Sequence, residues 1–289
     1  MMQIRKSVRT VLAILLAAVF CYSVVRLIGI WRIYSRNEAI YDQAVDRFLM
    51  TNATASTIES TSAPTASTPP TASTPPASEP GTDATSASTT EPPATTTEPP
   101  VAPDEPDFVP NWAALAAVNP DILAWIWQPG TAIHYPVLQG VDNAQYLRTT
   151  YDGQSSRLGS IFLDYRSSLS ARNPIIYGHN AGNGKMFASL SRYRERSYWE
   201  AHPYIFLLTP DGWAKYAIFA FYETSTTGNA YTFTFADDEA YSAYLTEIQL
   251  RSAYATGISV GVEDDILTLS TCTNTGKTRR YVVHARRVV

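Results

Sequence analysis

The chain of 289 residues carries 26 acidic and 22 basic residues, and its formal net charge of −4 argues against a nucleic-acid-binding protein. Its two cysteines cannot form a disulfide framework, and no Cys/His cluster has the spacing of a zinc site. We therefore expect neither a metal nor a cofactor, and look for chemistry in single reactive side chains.

The N-terminus predicts a membrane anchor. Residues 1–9 form a basic tail, and residues 10–31 are mostly apolar and uncharged except for Arg26, whose long side chain can reach the membrane interface. Phe20 and its neighbours fit a signal-peptidase site badly, so the stretch is interpreted as an uncleaved, single-pass signal-anchor with a cytoplasmic N-terminus. Residues 32–50 predict an amphipathic juxtamembrane helix that leads the chain off the bilayer.

Residues 51–106 are a low-complexity Ser/Thr/Ala/Pro/Glu segment with an imperfect TASTPP repeat. Such a composition buries too little apolar surface to offset its ordering entropy, which predicts a disordered linker. We expect it to act as a tether that holds a domain of residues 107–289 away from the membrane.

The remaining chain predicts many short strands with turns between them. A short helix is expected at 111–118, a helical turn at 142–147, helices at 184–192 and 197–201, and an amphipathic helix at 237–253 with Leu250 near its buried face. Strands are expected at 122–127, 133–138, 159–164, 174–177, 204–208, 214–224, 266–271 and 281–288. Pro136 would place its strand at an edge or a bulge. The pattern indicates a mainly β fold, a closed barrel with helical insertions.

The last two strands predict a hairpin that brings Cys272 close to Arg279 or Arg280. Two interpretations of Cys272 follow from the residues alone. It is either a small apolar residue that ends a strand, or a nucleophile whose oxyanion intermediate is stabilised by an arginine. The second interpretation requires a histidine from elsewhere in the chain.

Four histidines compete for that role. His134 and His284 lie within predicted strands and His202 precedes a proline at a helix end, positions typical of structural residues. His179 follows an apolar strand and opens a glycine-rich loop, and loops at strand ends carry a disproportionate share of catalytic residues. His179 is therefore the preferred candidate base.

Three motifs together resemble those of class B sortases: the Leu-Ser-Thr-Cys box ending at Cys272 with Arg280 downstream, the Tyr-Gly-His box ending at His179, and residues 159–166 before it. The resemblance covers about residues 108–289. It implies a closed sortase-type β-barrel of about eight strands, with an N-terminal helix and a further helix between the sixth and seventh strands.

The resemblance also implies roles for individual residues. Cys272 would be the nucleophile, His179 the general acid/base, and Arg280 the oxyanion- or substrate-positioning group. Strand alternation places residues 279 and 280 on opposite faces, and the family pattern selects Arg280. Thr273 stands where some class B members have an acidic residue, which argues against a carboxylate partner from that position. The residues that would contact substrate are Ser270, Asn143, Leu147 and Tyr177.

The function implied by this resemblance is a membrane-anchored cysteine transpeptidase on the outer face of a Gram-positive-type bacterium. It would cleave an Asn-Pro-x-Thr-like sorting motif after Thr in exported proteins and join them to an amine of peptidoglycan or of a pilin. The sequence has no apolar tail after a sorting motif, as expected of the enzyme and not of its client. A cysteine endopeptidase (a hydrolase of the thiol protease class) and a non-catalytic stalked adhesin remain alternatives. An L,D-transpeptidase is not supported, because the Ser-His-Gly-Cys context is missing.

Overall fold

A computed structural model describes residues 2–51, 104–273 and 276–288. Most of the predicted linker and part of the predicted turn after Cys272 lie outside these ranges. The helices are α1 Met2–Phe48, α2 Trp112–Val118, α3 Arg196–Ala201 and α4 Asp238–Leu250. The strands are β1 Leu49–Thr51, β2 Phe108–Pro110, β3 Ile122–Trp127, β4 His134–Leu138, β5 Ile161–Leu163, β6 Ile175–Tyr177, β7 Tyr204–Thr209, β8 Gly212–Ser225, β9 Ile266–Thr273 and β10 Gly276–Arg287.

Strands β3 to β10 form a closed eight-stranded barrel in the order β10-β8-β7-β3-β4-β5-β6-β9. The β4–β5 and β6–β9 pairs are parallel and the others antiparallel. Short 3-10 turns at Gln145–Leu147, Ala188–Arg194 and Asn229–Tyr231 complete the connections. The prediction of a mainly β, closed barrel is confirmed, and α4 lies between the sixth and seventh barrel strands as expected.

Pro136 does not mark a barrel edge, because β4 lies between β3 and β5. It pairs with Trp125 of β3, whereas the parallel pairing with β5 involves only Val137 and Leu138. Proline has no backbone N–H to donate. The strand tolerates it since the ladder to β5 begins one residue later. The alternative prediction, a bulge, agrees with the structure, because the β3–β4 register shifts between Val137 and Leu138.

Helix α4 begins with Asp237, whose side chain accepts a hydrogen bond from the backbone N–H of Ala240 (2.8 Å). Its buried stripe consists of Tyr241, Tyr244, Leu245 and Ile248. The prediction that Leu250 lies near this face is wrong: its side chain is 82% exposed. The stripe advances by three or four residues at each step, so after Ile248 its next position is 251 or 252.

The C-terminal part of α1 packs against the barrel. Tyr41, Ala44 and Phe48 are buried and belong to the main hydrophobic core. The Tyr41 hydroxyl donates to the backbone oxygen of Gly159 (2.8 Å), and Glu38 pairs with Lys185 (2.8 Å). We call this contact the α1 seam.

The chain then passes from α1 into β1, which pairs antiparallel with β2 so that Thr51 lies opposite Phe108. The two ends of the low-complexity segment are therefore held side by side on the domain. Helix α1 reaches the barrel before that segment begins, so the connection between the apolar N-terminus and the barrel does not pass through it.

Candidate active site

The register of the last two strands places Cys272 directly opposite Arg280. Cys272 is exposed and the Arg280 side chain is half-buried. Arg279 forms an ion pair with Glu223 of β8 (3.2 Å) and does not line the groove described below. Residues directly opposite each other on paired strands share a face of the sheet, so Arg280 lies on the face of Cys272. Arg279, the next residue along the strand, points to the other face.

Strand β6 carries the histidine loop to the same place. It runs parallel to β9, with Tyr177 opposite Ser270. The backbone N–H of Gly178 continues this pairing by donating to Ser270 O (3.2 Å), and the Thr271 hydroxyl donates to Gly178 O (2.7 Å). The start of the loop is therefore bonded to the strand that ends in Cys272.

Further contacts fix the loop after Gly178. A Cβ at Gly178 would overlap Ile161 and Phe187, so only glycine permits this close approach. The backbone N–H of Phe187 donates to His179 O (2.9 Å). The Asn180 side chain donates to Cys272 O (2.9 Å) and so links the loop to the nucleophile strand. His179 is held by both its own loop and β9.

These elements surround an open groove of about 320 Å³. All seven residues that the sequence singled out line it: Cys272, His179, Arg280, Ser270, Asn143, Leu147 and Tyr177. They come from β6 and the loop after it, from β9 and β10, and from the segment between β4 and β5, so the barrel brings together residues as distant as Asn143 and Arg280. The groove combines a thiol, an imidazole and a guanidinium, the set of groups required for acyl transfer through a thioester.

Sequence reasoning missed further lining residues: Phe162, Arg166, Thr226 and Tyr231. Tyr231 bonds Ser270 through the two hydroxyls (3.0 Å), and its ring lies 6.1 Å from that of Tyr177. It belongs to an isolated 3-10 turn with no periodic pattern. Arg166 was within the residues 159–166 used for the resemblance, but its orientation depends on a buried carboxylate, Asp164.

The pKa of His179 is lowered from its ordinary value, first because burial disfavours the charged imidazolium and second because Arg148 adds a positive charge nearby. The neutral imidazole is therefore the predominant form at pH 7. Such a residue can accept a proton from a thiol, and once protonated it is a stronger acid than an ordinary histidine.

The other three histidines have structural surroundings, as predicted. His134 packs against the rings of Phe108 and Trp125. The backbone N–H of His202 bonds the last turn of α3. His284 is fully buried and bonds the Thr268 hydroxyl (2.8 Å). None of them lines the groove. In the part of the chain that the structure describes, no three His, Cys, Asp or Glu residues cluster at a distance suited to a metal.

Comparisons with known proteins agree with this geometry. The sequence profile of the Sortase domain matches residues 128–288. Sortase B of Staphylococcus aureus (strain NCTC 8325 / PS 47) is 36% identical over 181 residues, which cover 61% of this chain and 74% of that protein.

Two solved structures show the same likeness. A Staphylococcus aureus sortase B–substrate complex superposes with a TM-score of 0.59 at 36% identity, covering 62% of this chain and 84% of that one. Clostridium perfringens sortase B gives a TM-score of 0.59 at 32% identity, covering 61% and 99%. The profile match spans more than half of the chain, and both structures are of class B. The chain therefore belongs to the sortase family of cysteine transpeptidases, and within it to class B.

Proposed function

We propose that this sortase cleaves an Asn-Pro-x-Thr-like motif near the C-terminus of exported proteins and transfers the new acyl end to an amine. Cys272 is the nucleophile, His179 the general acid/base and Arg280 the oxyanion donor. The observation that carries this proposal is the Cys272–Arg280 pairing at the groove that His179 also lines.

The first half-reaction forms a thioester. The imidazole of His179 takes the proton of the Cys272 thiol, and the thiolate attacks the carbonyl carbon of the motif's Thr. Arg280 donates hydrogen bonds to the oxyanion, a contribution of about 2.7–4 kcal/mol for one donor. The His179 imidazolium then protonates the departing amine, and the peptide bond breaks. The lowered pKa of His179 favours this second transfer.

The second half-reaction reverses these roles. An incoming amine attacks the thioester carbon, neutral His179 removes the proton from the attacking nitrogen, and the Cys272 thiolate leaves. With water in place of the amine the same enzyme is a hydrolase. The acceptor we propose is an amine of a peptidoglycan precursor or of a pilin, both of which lie outside the cell membrane.

The location proposed for the enzyme follows from α1. Its segment Ile14–Phe48 is long and apolar enough to cross a membrane, with a mean hydropathy of 2.1 in its most apolar window. Most of the large apolar side chains from Val11 to Trp31 are exposed. We propose that this half spans the cell membrane as a signal-anchor with the basic tail in the cytoplasm, and that the barrel lies outside.

The test uses the purified full chain in detergent with two peptides, one containing Asn-Pro-x-Thr and one with the motif scrambled. Mass spectrometry should find the acyl half of the first peptide on Cys272, and an added amine should yield the ligated product. Acid product alone, even with excess amine, would indicate an endopeptidase. No acyl adduct on Cys272 with either peptide would refute the proposal.

A further inference from the structure

One wall of the groove, formed by Asn143, Arg166 and Tyr177, is organised by a single buried carboxylate. Asp164 directly follows β5 and has no exposed surface. Arg166 donates to it twice through the guanidinium, Nε to Oδ1 (2.9 Å) and Nη2 to Oδ2 (2.8 Å). Asn143 Nδ2 and the Tyr177 hydroxyl each donate to Oδ2 (both 3.0 Å). All three of these donors line the groove, whereas Asp164 itself does not.

The charge of Asp164 determines the direction of the bonds from Asn143 and Tyr177, whereas Arg166 can only donate. Burial alone would raise its pKa, but the hydrogen bonds from Arg166, Asn143 and Tyr177 outweigh burial and lower the pKa to about 2. Burial and the nearby carboxylate raise the pKa of Tyr177, which stays protonated. A carboxylate can only accept, so Asn143 and Tyr177 must be the donors.

This constraint fixes what the wall presents to a substrate. The Asn143 amide is held at both ends, because its Oδ1 accepts from the backbone N–H of Tyr165 (3.1 Å) while one Nδ2 hydrogen bonds Asp164. Its second Nδ2 hydrogen is a donor. The Tyr177 hydroxyl has used its only hydrogen, so its oxygen can only accept. The wall therefore offers one N–H donor and one oxygen acceptor.

The same carboxylate neutralises Arg166, the cation of this wall; the other arginine that lines the groove, Arg280, lies opposite Cys272 on the neighbouring strand. Arg166 is half-exposed (48% of its side chain) and would by itself attract an anionic group. Its bidentate bond to Asp164 removes the net charge. A substrate carboxylate at this wall would meet neither an uncompensated charge on Arg166 nor a second donor from Tyr177, whereas a carboxamide can bond both the donor and the acceptor.

We propose that Asp164 is the positioning residue that makes this groove select a carboxamide side chain and reject the corresponding carboxylate at the first position of the peptide motif. The inference rests on the proposed function, since it concerns the specificity of that reaction. Asp164 acts through Asn143, Tyr177 and Arg166 and not through contact with the substrate.

The experiment compares two peptides that differ only in Asn or Asp at the first motif position, with the full-length enzyme and an amine acceptor. The wild type should favour the Asn peptide by about 10- to 100-fold in kcat/KM, the range expected when a buried polar group is left unpaired. Asp164→Asn should lower this ratio at least about tenfold, through a higher KM for the Asn peptide and improved turnover of the Asp peptide by the released Arg166.

Arg166→Gln provides the opposite test, because it leaves the carboxylate without its counter-charge. In this variant the ratio of kcat/KM for the Asn peptide to that for the Asp peptide should rise above the wild-type value, because the Asp peptide is repelled. Glu223→Gln, which removes the carboxylate of the Arg279 ion pair outside the groove, is the matched control and should leave the ratio unchanged. The rate of Cys272 alkylation by iodoacetamide should be the same in all variants and reports an intact site.

If Asp164→Asn lowers kcat/KM equally for both peptides, the Asn/Asp ratio stays unchanged. That result would show a merely structural role and overturn the inference. If Asp164→Asn does not fold, the test rests on Arg166→Gln. An Asn/Asp ratio of kcat/KM that does not rise in that variant would also overturn the inference. Failure of the proposed function is distinct, because the wild type would then transfer neither peptide to the amine.

Discussion

The groove and the α1 seam use the same kinds of side chain in opposite ways. In the groove, Cys272 is exposed and His179 is only partly buried, so reactive atoms remain accessible. In the seam, Tyr41 is 4% exposed and its hydroxyl bonds both Gly159 O and Ser160 Oγ. Buried polar groups stabilise a fold when they are paired, while catalytic groups must keep some capacity for the substrate. Substitutions in the two regions should therefore affect different measurements.

The largest expected effect belongs to the groove. Cys272→Ala and His179→Ala should each abolish acyl-enzyme formation, measured by mass spectrometry with the motif peptide. The thermal midpoint of Cys272→Ala should change little, because an exposed side chain contributes little to the core. Retained turnover in Cys272→Ala would indicate another nucleophile, whereas a non-catalytic adhesin would form no acyl-enzyme even as the wild type.

The matching substitution in the seam is Phe48→Ala. Phe48 is fully buried and lies 6.1 Å from the Tyr151 ring, so its truncation should cost about 3–5 kcal/mol of unfolding free energy. Chemical denaturation would measure the loss. The kcat per folded molecule should stay at the wild-type value; a proportional loss of kcat would show that the seam and the groove are coupled.

Arg280 and Arg279 allow a sharper comparison, because they are adjacent in β10 but only Arg280 lines the groove. Arg280→Ala should lower kcat/KM by about 10²–10³, the effect of losing one oxyanion donor. Arg279→Ala removes an exposed ion pair with Glu223 and should cost about 0–1 kcal/mol of stability with little loss of activity. The reverse order of activities would contradict the strand register.

The pH dependence tests the electrostatics around His179. Its pKa is lowered by burial and by Arg148, so the acid limb of kcat/KM should lie below the ordinary histidine value. Arg148→Gln removes the second cause, raises the pKa of His179 and should move that limb to higher pH. A shift to lower pH, or none, would mean that another group controls the limb.

The smallest effect is expected for the low-complexity segment. Replacing residues 52–103 with a short Gly/Ser turn should leave kcat/KM within about twofold and the thermal midpoint nearly unchanged, because Thr51 and Phe108 are already paired. A chain that begins at residue 107 should instead lose stability, since it lacks Tyr41, Ala44 and Phe48. Loss of peptide transfer in the first variant would show that the segment contributes to the reaction itself.

The sequence predicted the barrel because its strands carry local signals: alternating apolar residues, turn residues and the Leu-Ser-Thr-Cys box. It predicted the groove residues through their motifs, and the structure places them together. Leu250 and the edge position expected for Pro136 were misjudged because helix phase and strand order depend on packing partners, whereas the alternative of a bulge agrees with the shifted β3–β4 register. The roles of the three catalytic candidates remain predictions until the substitutions above are made.

Other features had no local signal at all. The Asp164 contacts join Asn143, 21 residues earlier, and Tyr177, 13 residues later, and no periodic pattern links these positions. Residues 32–50, which form the α1 side of the seam, were predicted as an amphipathic helix that leads the chain off the bilayer. Its partner surface near Gly159 lies 118 residues from Tyr41 in the chain and is defined only by the folded barrel.

The unbroken course of α1 has a mechanical consequence. From Trp31, at the end of the apolar half, to Phe48 in the seam, a helix advances by about 25 Å. Because one continuous helix joins the two regions, tilting or turning the N-terminal half would carry the catalytic face with it. With that half in a bilayer, the groove would stay at a fixed distance from the membrane and in a fixed orientation. The substrate protein and the acceptor amine would then have to diffuse to it.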